Sequence, residues 1–168
     1  MIDPDQPDPD KPGAMLGLEA QYLGTARLVR EGEPATLEIT TAHQEIGRND
    51  YLMPSERADA ISYVPHAPTT KIAGRIIRLY GGLGEGGRFS IVSLTRGKKD
   101  GLELGHVLAI HRKGAPVSNL IDVKKETYTL PDERYGLLFV FRVFDRVSYG
   151  LVMSASRPVL EGDVVVTP

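Results

Sequence analysis

From residue 72 onward, short apolar runs alternate with turn-forming segments rich in Gly, Pro and Asp. In the first two runs Ile76, Leu79, Phe89 and Ile91 are interleaved with polar residues, and an apolar–polar period near two predicts strands. The interleaved residues are Arg75, Arg78, Arg88 and Ser90. The same signals predict strands over residues 72–80, 88–95, 106–112, 116–123, 136–147, 149–155 and 164–167. About seven strands with little helix between them favour a mainly β fold, either a small closed barrel or a compact sandwich.

The last third of the chain repeats the pattern of the first third. Residues 17–54 and 136–168 both begin with Gly-Leu and a strand-like run, then turn into a second strand (37–41 and 151–155). Each segment crosses to an Asp, at Asn49-Asp50 and Gly162-Asp163, and ends on an apolar run closed by Pro. A third copy of the back half occupies residues 91–110. Recurrence of one small β unit indicates a scaffold built by duplication.

These patterns divide the chain into four parts. Residues 1–13 alternate Asp and Pro and predict a linker, because their carboxylates lack the Gly and terminal Glu of a calcium loop. Residues 14–56 predict a β half-unit that repeats 136–168 and turns at residues 31–34. Residues 57–71 predict a second linker, and 72–168 the main β domain. Nothing before residue 17 resembles residues 72–123, so we expect the half-unit not to fold independently.

Composition and charge exclude several classes of function. The formal net charge of −2 gives no electrostatic reason to expect a nucleic-acid partner. The absence of Cys excludes disulfides, Cys-ligated zinc and a Cys nucleophile. The first residues do not form a signal peptide, and the most apolar stretch, 136–147, is interrupted by Arg142, Asp145 and Arg146. We therefore expect no membrane span.

Candidate catalytic and cofactor motifs give no positive prediction. GLGEGG at residues 82–87 matches a dinucleotide fingerprint, but a predicted strand rather than a helix comes next, which favours a hairpin loop. No Gly-x-Ser-x-Gly elbow is present. The histidines lack zinc-site spacing, and a five-residue separation puts two of them on opposite strand faces. We predict ordinary surface or half-buried histidines, with no catalytic residue, metal or cofactor, at His43, His66, His106 and His111.

One polar stretch suggests an interaction surface. LPDERYG at residues 130–136 predicts a turn that begins the longest strand, in which Phe139, Phe141 and Val143 share one face and are expected to pack in the core. Arg and Tyr side chains around this strand commonly cover β surfaces. They also offer stacking and hydrogen bonds to a sugar or peptide. The candidate interaction surface comprises Arg134, Tyr135, Arg142, Arg146 and Tyr149.

Four segments of the chain carry a family resemblance: GRIIRLYGG, TRGKKDGLELGHVLAIHRKG, LPDERYGLLFVFRVFDRVSYGLVMSASRPVLEGDVV and, nearer the start, GLEAQYLGTARLVREGEPATLEIT. In these segments the chain resembles the C-terminal region of proteobacterial LysM-domain envelope proteins. It covers nearly all of residues 14–168, while the long Asp-Pro segment 1–13 departs from it. In such proteins a LysM module that binds peptidoglycan glycan precedes this region, so the resemblance assigns no glycan-binding residue here.

The resemblance implies a non-enzymatic β module that serves as a spacer or protein-interaction platform in the periplasm or cell envelope. Its expected partners are peptidoglycan, reached through the LysM module of the parent protein, and another envelope protein. A cell-wall remodelling enzyme or its accessory domain is the alternative, and a small barrel that binds nucleic acid is the third possibility.

Overall fold

The computed structural model describes residues 2–3, 15–55, 63–81, 84–118 and 127–168. In these ranges the chain forms β-strands and one turn of 3₁₀ helix, η1 (Lys98–Asp100), which confirms the predicted mainly β fold. No described helix has the length and apolar character to span a bilayer. The strands are β1 (Ile2–Asp3), β2 (Glu19–Ala20), β3 (Gly24–Arg30), β4 (Thr36–Ala42), β5 (Ala73–Tyr80), β6 (Glu85–Gly86), β7 (Ile91–Leu94), β8 (Val107–Arg112), β9 (Pro116–Ser118), β10 (Thr127–Thr129), β11 (Glu133–Val143), β12 (Ser148–Ala155), β13 (Val159–Leu160) and β14 (Val164–Val166).

The chain folds as two compact units. Unit 1 comprises Met1–Gln6 and Gly17–Ala60, and unit 2 comprises Pro7–Leu16 and Ile61–Pro168. In unit 1, β1 pairs with β2 and β3 pairs with β4, all antiparallel. Strand β1 lies within the predicted linker 1–13, whose residues 4–13 are outside the described ranges.

Unit 2 is a closed six-stranded antiparallel barrel with the strand order β11-β12-β7-β5-β14-β8. Closure leaves the six strands without a free edge, which removes the usual route to edge-to-edge aggregation. The core is apolar, and its fully buried side chains come from every strand of the barrel. They include Ile76, Val92, Leu94, Leu108, Ile110, Leu138, Val140, Val152 and Val165.

Two predictions of which strand face is buried are wrong by one residue. Leu138 and Val140 are fully buried, whereas Phe139 and Phe141 are only half-buried on the opposite face of β11. Burial alternates without a break from Gly136 to Phe141, so the predicted period of two is present and the buried face is the opposite one. In the neighbouring hairpin Val92 and Leu94 are buried, and Phe89 and Ile91 are exposed.

The predicted strand 88–95 begins later than expected. Phe89 has a φ of 70°, so the backbone is in the left-handed region and the strand starts at Ile91. The preceding Gly-rich loop contains β6, which pairs with β13, and its residues 82–83 lie outside the described ranges. The predicted strand 116–123 is present as β9, which pairs with β10, and residues 119–123 also lie outside those ranges.

The hairpin of unit 1 has the same register as the β11–β12 hairpin of the barrel. Six pairs run from Gly24↔Ala42 to Arg30↔Thr36 in one, and the first six of seven run from Gly136↔Ala155 to Arg142↔Tyr149 in the other. Both hairpins shift register after their second pair and again after their fifth pair. The repeated pattern of residues 17–54 and 136–168 is therefore also present in the backbone pairing of the two hairpins.

Glycine begins both hairpins for the same steric reason. A Cβ at Gly24 would collide with the carbonyl oxygen of Thr41, and a Cβ at Gly136 would lie 2.7 Å from that of Ser154. Thr41 and Ser154 occupy equivalent positions in the two ladders. A side chain would push the strands apart at this point, so both hairpins require glycine.

Three tight turns that each follow a hairpin share one geometry and precede an extended segment. The turn 87–90, inside the β5–β7 hairpin, shares it as well, with Phe89 at a φ of 70° and the Ser90 hydroxyl accepting from the Gly87 N–H at 3.0 Å. In the turns 47–50, 103–106 and 160–163, the third residue has a left-handed backbone, with φ of 73° at Asn49, 93° at Gly105 and 89° at Gly162. The side chain of the fourth residue accepts a hydrogen bond from the first N–H, at 2.7 Å for Asp50, 3.1 Å for His106 and 2.8 Å for Asp163. His106 thus occupies the position that Asp holds in the other two turns.

Candidate interaction surface

The five residues predicted to form a surface lie at two ends of unit 2. Arg134 and Tyr135 lie near the start of β11, and Arg142 lies near its end. At a rise of about 3.3 Å per residue, Arg134 and Arg142 are separated by about 26 Å along the strand. One compact ligand cannot contact both ends, so the predicted surface divides into two regions.

Tyr135 belongs to the interior rather than to an exposed surface. It is 6% exposed, and its hydroxyl donates a hydrogen bond to Asp163. Asp163 also accepts hydrogen bonds from Arg112, with Nε at 3.2 Å and Nη2 at 3.0 Å, and from the Leu160 N–H at 2.8 Å. The same Arg112 donates to the carbonyl of Pro158 at 2.8 Å, so the network joins β8 and β11 to the segment before β14.

The ionisation of this network follows from its contacts. Burial alone would raise the pKa of Asp163, but hydrogen bonds from Arg112, Tyr135 and the Leu160 N–H outweigh it and lower the pKa. Burial, and then the Asp163 hydrogen bond, raise the pKa of Tyr135 well above its ordinary range. The Asp163 hydrogen bond likewise raises the pKa of Arg112. Asp163 is therefore an anion held between two protonated donors, which is a structural role.

The second region is a cluster of rings and a guanidinium at the other end of β11. The ring of Tyr149 lies 5.7 Å from that of Tyr80 and 5.9 Å from that of Phe144, centroid to centroid. The guanidinium carbon of Arg142 lies 5.3 Å from the centroid of Phe144. We call Tyr80, Arg142, Phe144 and Tyr149 the aromatic patch. Strand register explains it, because Arg142 and Tyr149 are directly paired across β11 and β12.

The aromatic patch is partly open to solvent and lies over the paired strands β12, β7 and β5. Phe144 is 46% exposed, and Tyr80 and Tyr149 are half-buried. Ser93 pairs with Tyr149 on one side and with Arg78 on the other. Ser93 is 1% exposed, and its hydroxyl has no hydrogen-bond partner among the described residues. Aromatic rings and Arg on a fixed sheet surface are the side chains most enriched at binding hot spots.

Arg146 and Arg134 are placed differently from the patch. Arg146 donates from Nη1 to the carbonyl of Met15 at 2.8 Å, so it holds the N-terminal segment of unit 2 against the β11–β12 connection. Arg134 is exposed and is paired with His111 of β8. Of the five predicted residues, the structure brings Arg142 and Tyr149 together. Tyr80 and Phe144 complete the patch and were missed, because their contribution depends on the strand pairing.

Two histidines that the sequence treats separately also meet. His66 bridges to His106 in parallel, with His66 N–H to Gly105 O at 3.0 Å and Val107 N–H to His66 O at 2.8 Å. Their ring centroids are 4.8 Å apart. Nitrogen atoms of the two rings and a carboxylate oxygen of Glu103 lie within 4.8 Å of one another. His106 is only 4% exposed, against the prediction of a surface or half-buried ring.

The hydrogen bonds of this cluster indicate a clasp rather than a preformed metal site. His106 Nδ1 accepts from the Glu103 N–H, so in the neutral ring the proton is on Nε2. A metal at Nε2 would require a proton on Nδ1 and would break the turn. Burial, and then the charge of His66, lower the pKa of His106, with Glu103 opposing them. The cluster fastens the segment around His66 to the barrel while His106 remains neutral.

Comparison with known proteins does not add to this picture. No protein-family model matches the chain, and no curated protein matches it significantly.

Proposed function

We propose that this chain is a non-catalytic β-barrel module of a LysM-type, peptidoglycan-associated envelope protein, and that it serves as a protein-interaction platform. The observation that carries the proposal is the aromatic patch, in which Arg142, Phe144 and Tyr149 stand together on one end of the barrel. The similarity of residues 14–168 to the C-terminal region of such envelope proteins supports the cellular setting.

The chemistry of the patch suits recognition. Tyr80 and Tyr149 lie on paired strands and lose little conformational entropy on binding, and Arg142 adds directional hydrogen bonds to a carbonyl or carboxylate of a partner protein. The Tyr135–Asp163 hydrogen bond and the His66–His106 bridge both join segments of unit 2. Their roles in holding the fold support a binding function over a catalytic one.

Co-sedimentation with purified peptidoglycan sacculi tests the placement of the glycan site. We expect the 168-residue chain to remain in the supernatant and a longer protein carrying the LysM module to sediment. Sedimentation of the 168-residue chain alone would contradict a glycan site located outside it.

Photo-crosslinking tests the platform. A benzophenone amino acid at Phe144, expressed in the periplasm of a proteobacterium, should give a discrete adduct with one envelope protein. Arg142→Ala should abolish the adduct, because it removes the cation beside the ring. Arg134→Ala is the matched control, since it removes an exposed Arg from the other end of the same strand. Equal adducts in both variants would contradict the proposal.

A further inference from the structure

The barrel of unit 2 is built from two copies of one three-strand repeat. Repeat B consists of β5, β7 and β8, and repeat C consists of β11, β12 and β14. Each repeat is a hairpin followed by one of the three tight turns and then a third strand. The third strand pairs with the first strand of the other repeat, as β8 with β11 and β14 with β5. Each repeat therefore supplies the strand that covers the free edge of the other, and we call each repeat the mate of the other.

The pairing has the symmetry of a two-fold axis. The second strands pair with each other (β7 with β12), and so do the third strands (β8 with β14). When the two hairpins are aligned at the register shifts after Ile76 and Val140, Ser93 is equivalent to Tyr149, and these two residues pair with each other across β7 and β12. When the turns 103–106 and 160–163 are aligned, Ala109 is equivalent to Val166, and these two pair across β8 and β14. An arrangement in which equivalent residues face each other is the geometry of a two-fold, isologous interface.

Unit 1 contains one further copy of the repeat without a mate among the described residues. Repeat A consists of β3, β4, the turn 47–50 and residues 51–53, which match β11, β12, the turn 160–163 and β14. Its hairpin forms a two-stranded sheet, and residues 51–53 join no described ladder. Isolated two-stranded hairpins are marginally stable in water.

The side chains of repeat A that correspond to the barrel interior are apolar and exposed. Val140, Val152 and Val165 of repeat C are each 0% exposed. Their equivalents in repeat A are Leu28, Ile39 and Leu52, which are 51%, 54% and 69% exposed. On the opposite face of the hairpin Arg27 and Glu38 form an ion pair at 2.7 Å. Repeat A thus has the sidedness of half a barrel, with its interior face uncovered.

We propose that repeat A pairs with repeat A of a second copy of this chain, so that two half-barrels close into a six-stranded intermolecular barrel. The mate must be a repeat of the same kind, because in unit 2 the strands that pair with repeat C all belong to repeat B, which is another such repeat. The predicted contacts are specific. Strand β4 lies antiparallel to β4 of the second copy, centred on Thr36, the equivalent of Ser93 and Tyr149. Residues 51–53 pair with β3 of the second copy.

Light scattering and sedimentation of the full chain test the proposal. The mass should be twice 18.4 kDa at micromolar concentrations. Leu28→Asp should shift the dissociation constant at least about 100-fold toward monomer, because it places a charge on the buried face. Glu38→Gln is the matched control on the other face of the hairpin, and it should leave the dimer intact. A monomer at all concentrations would overturn the proposal.

Crosslinking tests the two-fold geometry independently of any variant that unfolds the hairpin. The chain has no Cys, so a single introduced thiol reports on itself alone. Under mild oxidation Thr36→Cys should form a disulfide-linked dimer, since directly paired residues in antiparallel strands lie within disulfide reach. Glu33→Cys, in the hairpin turn away from the axis, should remain reduced. A dimer in which Thr36→Cys does not crosslink, or Leu28→Asp has no effect, would refute the intermolecular barrel.

Discussion

The contact between Leu138 and Gly150 provides a quantitative test of the barrel interior. A Cβ at Gly150 would lie 2.6, 2.7 and 2.9 Å from Cδ1, Cγ and Cδ2 of Leu138, so one side chain fills the space of two positions. In repeat A the equivalent residues are Ala26 and Leu37, with the sizes exchanged. The one large side chain of this pair therefore comes from the first strand of the hairpin in unit 2 and from the second strand in repeat A.

Combining Leu138→Ala with Gly150→Leu in unit 2 should restore the free energy of unfolding that each single substitution loses. Gly150→Leu overpacks the interior and should cost about 3 kcal/mol of unfolding free energy. Leu138→Ala leaves a cavity and should cost about 2–5 kcal/mol. Independent effects would then sum to at least about 5 kcal/mol. The double variant keeps the large side chain and adds one methyl group, so it should lie within about 1.5 kcal/mol of the wild type.

Urea denaturation of the four proteins, followed by far-ultraviolet circular dichroism, measures the coupling. Each free energy comes from the midpoint and slope of the transition. We expect the double variant to lose much less unfolding free energy than the sum of the two single losses. A double variant whose loss equals the sum of the single losses would refute the packing of Leu138 over Gly150.

Four further predictions concern buried polar groups. Because folding lowers the pKa of Asp163, its contribution to the free energy of unfolding is present above about pH 4 and is lost as pH falls. The difference in stability between wild type and Asp163→Asn should therefore shrink on acidification, and a constant difference between their urea midpoints would contradict this. The pKa of Tyr135 is raised by folding, so stability should fall above about pH 10, and Tyr135→Phe should flatten that fall in denaturation curves. His106 has a lowered pKa, so wild type should lose stability as pH falls through about 6.5. His106→Asn keeps a side-chain acceptor without titrating and should lose less between pH 7 and pH 5, which thermal melting would check. Ser93→Ala removes a buried hydroxyl without a described partner, so its melting temperature should equal or exceed that of wild type, and a fall of several degrees would indicate a missed hydrogen bond.

Local patterns in the sequence predicted the class of fold but not the facing of all its strands. Period-two alternation located β5, β8, β11, β12 and β14 within a few residues. It selected Phe139 and Phe141 as core residues on a strand whose two faces are both apolar, and Leu138 and Val140 lie inside instead. Period-two alternation gives the spacing of the residues on one strand face, but it does not say which of two apolar faces is buried, so the packing of the neighbouring strands decides it.

The polar sites depend on contacts between distant residues. The sequence predicts Tyr135 as a surface residue at the start of a strand. It is buried because Asp163, 28 residues later, accepts a hydrogen bond from its hydroxyl. His66 lies in a Pro-punctuated segment predicted to be a linker, yet it pairs with His106. Arg142 and Tyr149 were predictable as neighbours across a hairpin. Tyr80 required knowledge that β5 and β12 both flank β7, which depends on the order of the strands in the sheet.

The equivalence of repeats A and C is stronger than similarity of composition. Two hairpins of similar amphipathic sequence need not share a register, since each shift of one residue gives another antiparallel ladder. Here both register shifts, the opening glycine and the turn that follows recur at equivalent positions. In repeat C these features serve to close a barrel with repeat B. Their retention in repeat A, where Leu28 and Ile39 are exposed, is explained if repeat A also closes a barrel. A hairpin that served only as a spacer would have no need of an apolar face or of the turn that directs a third strand.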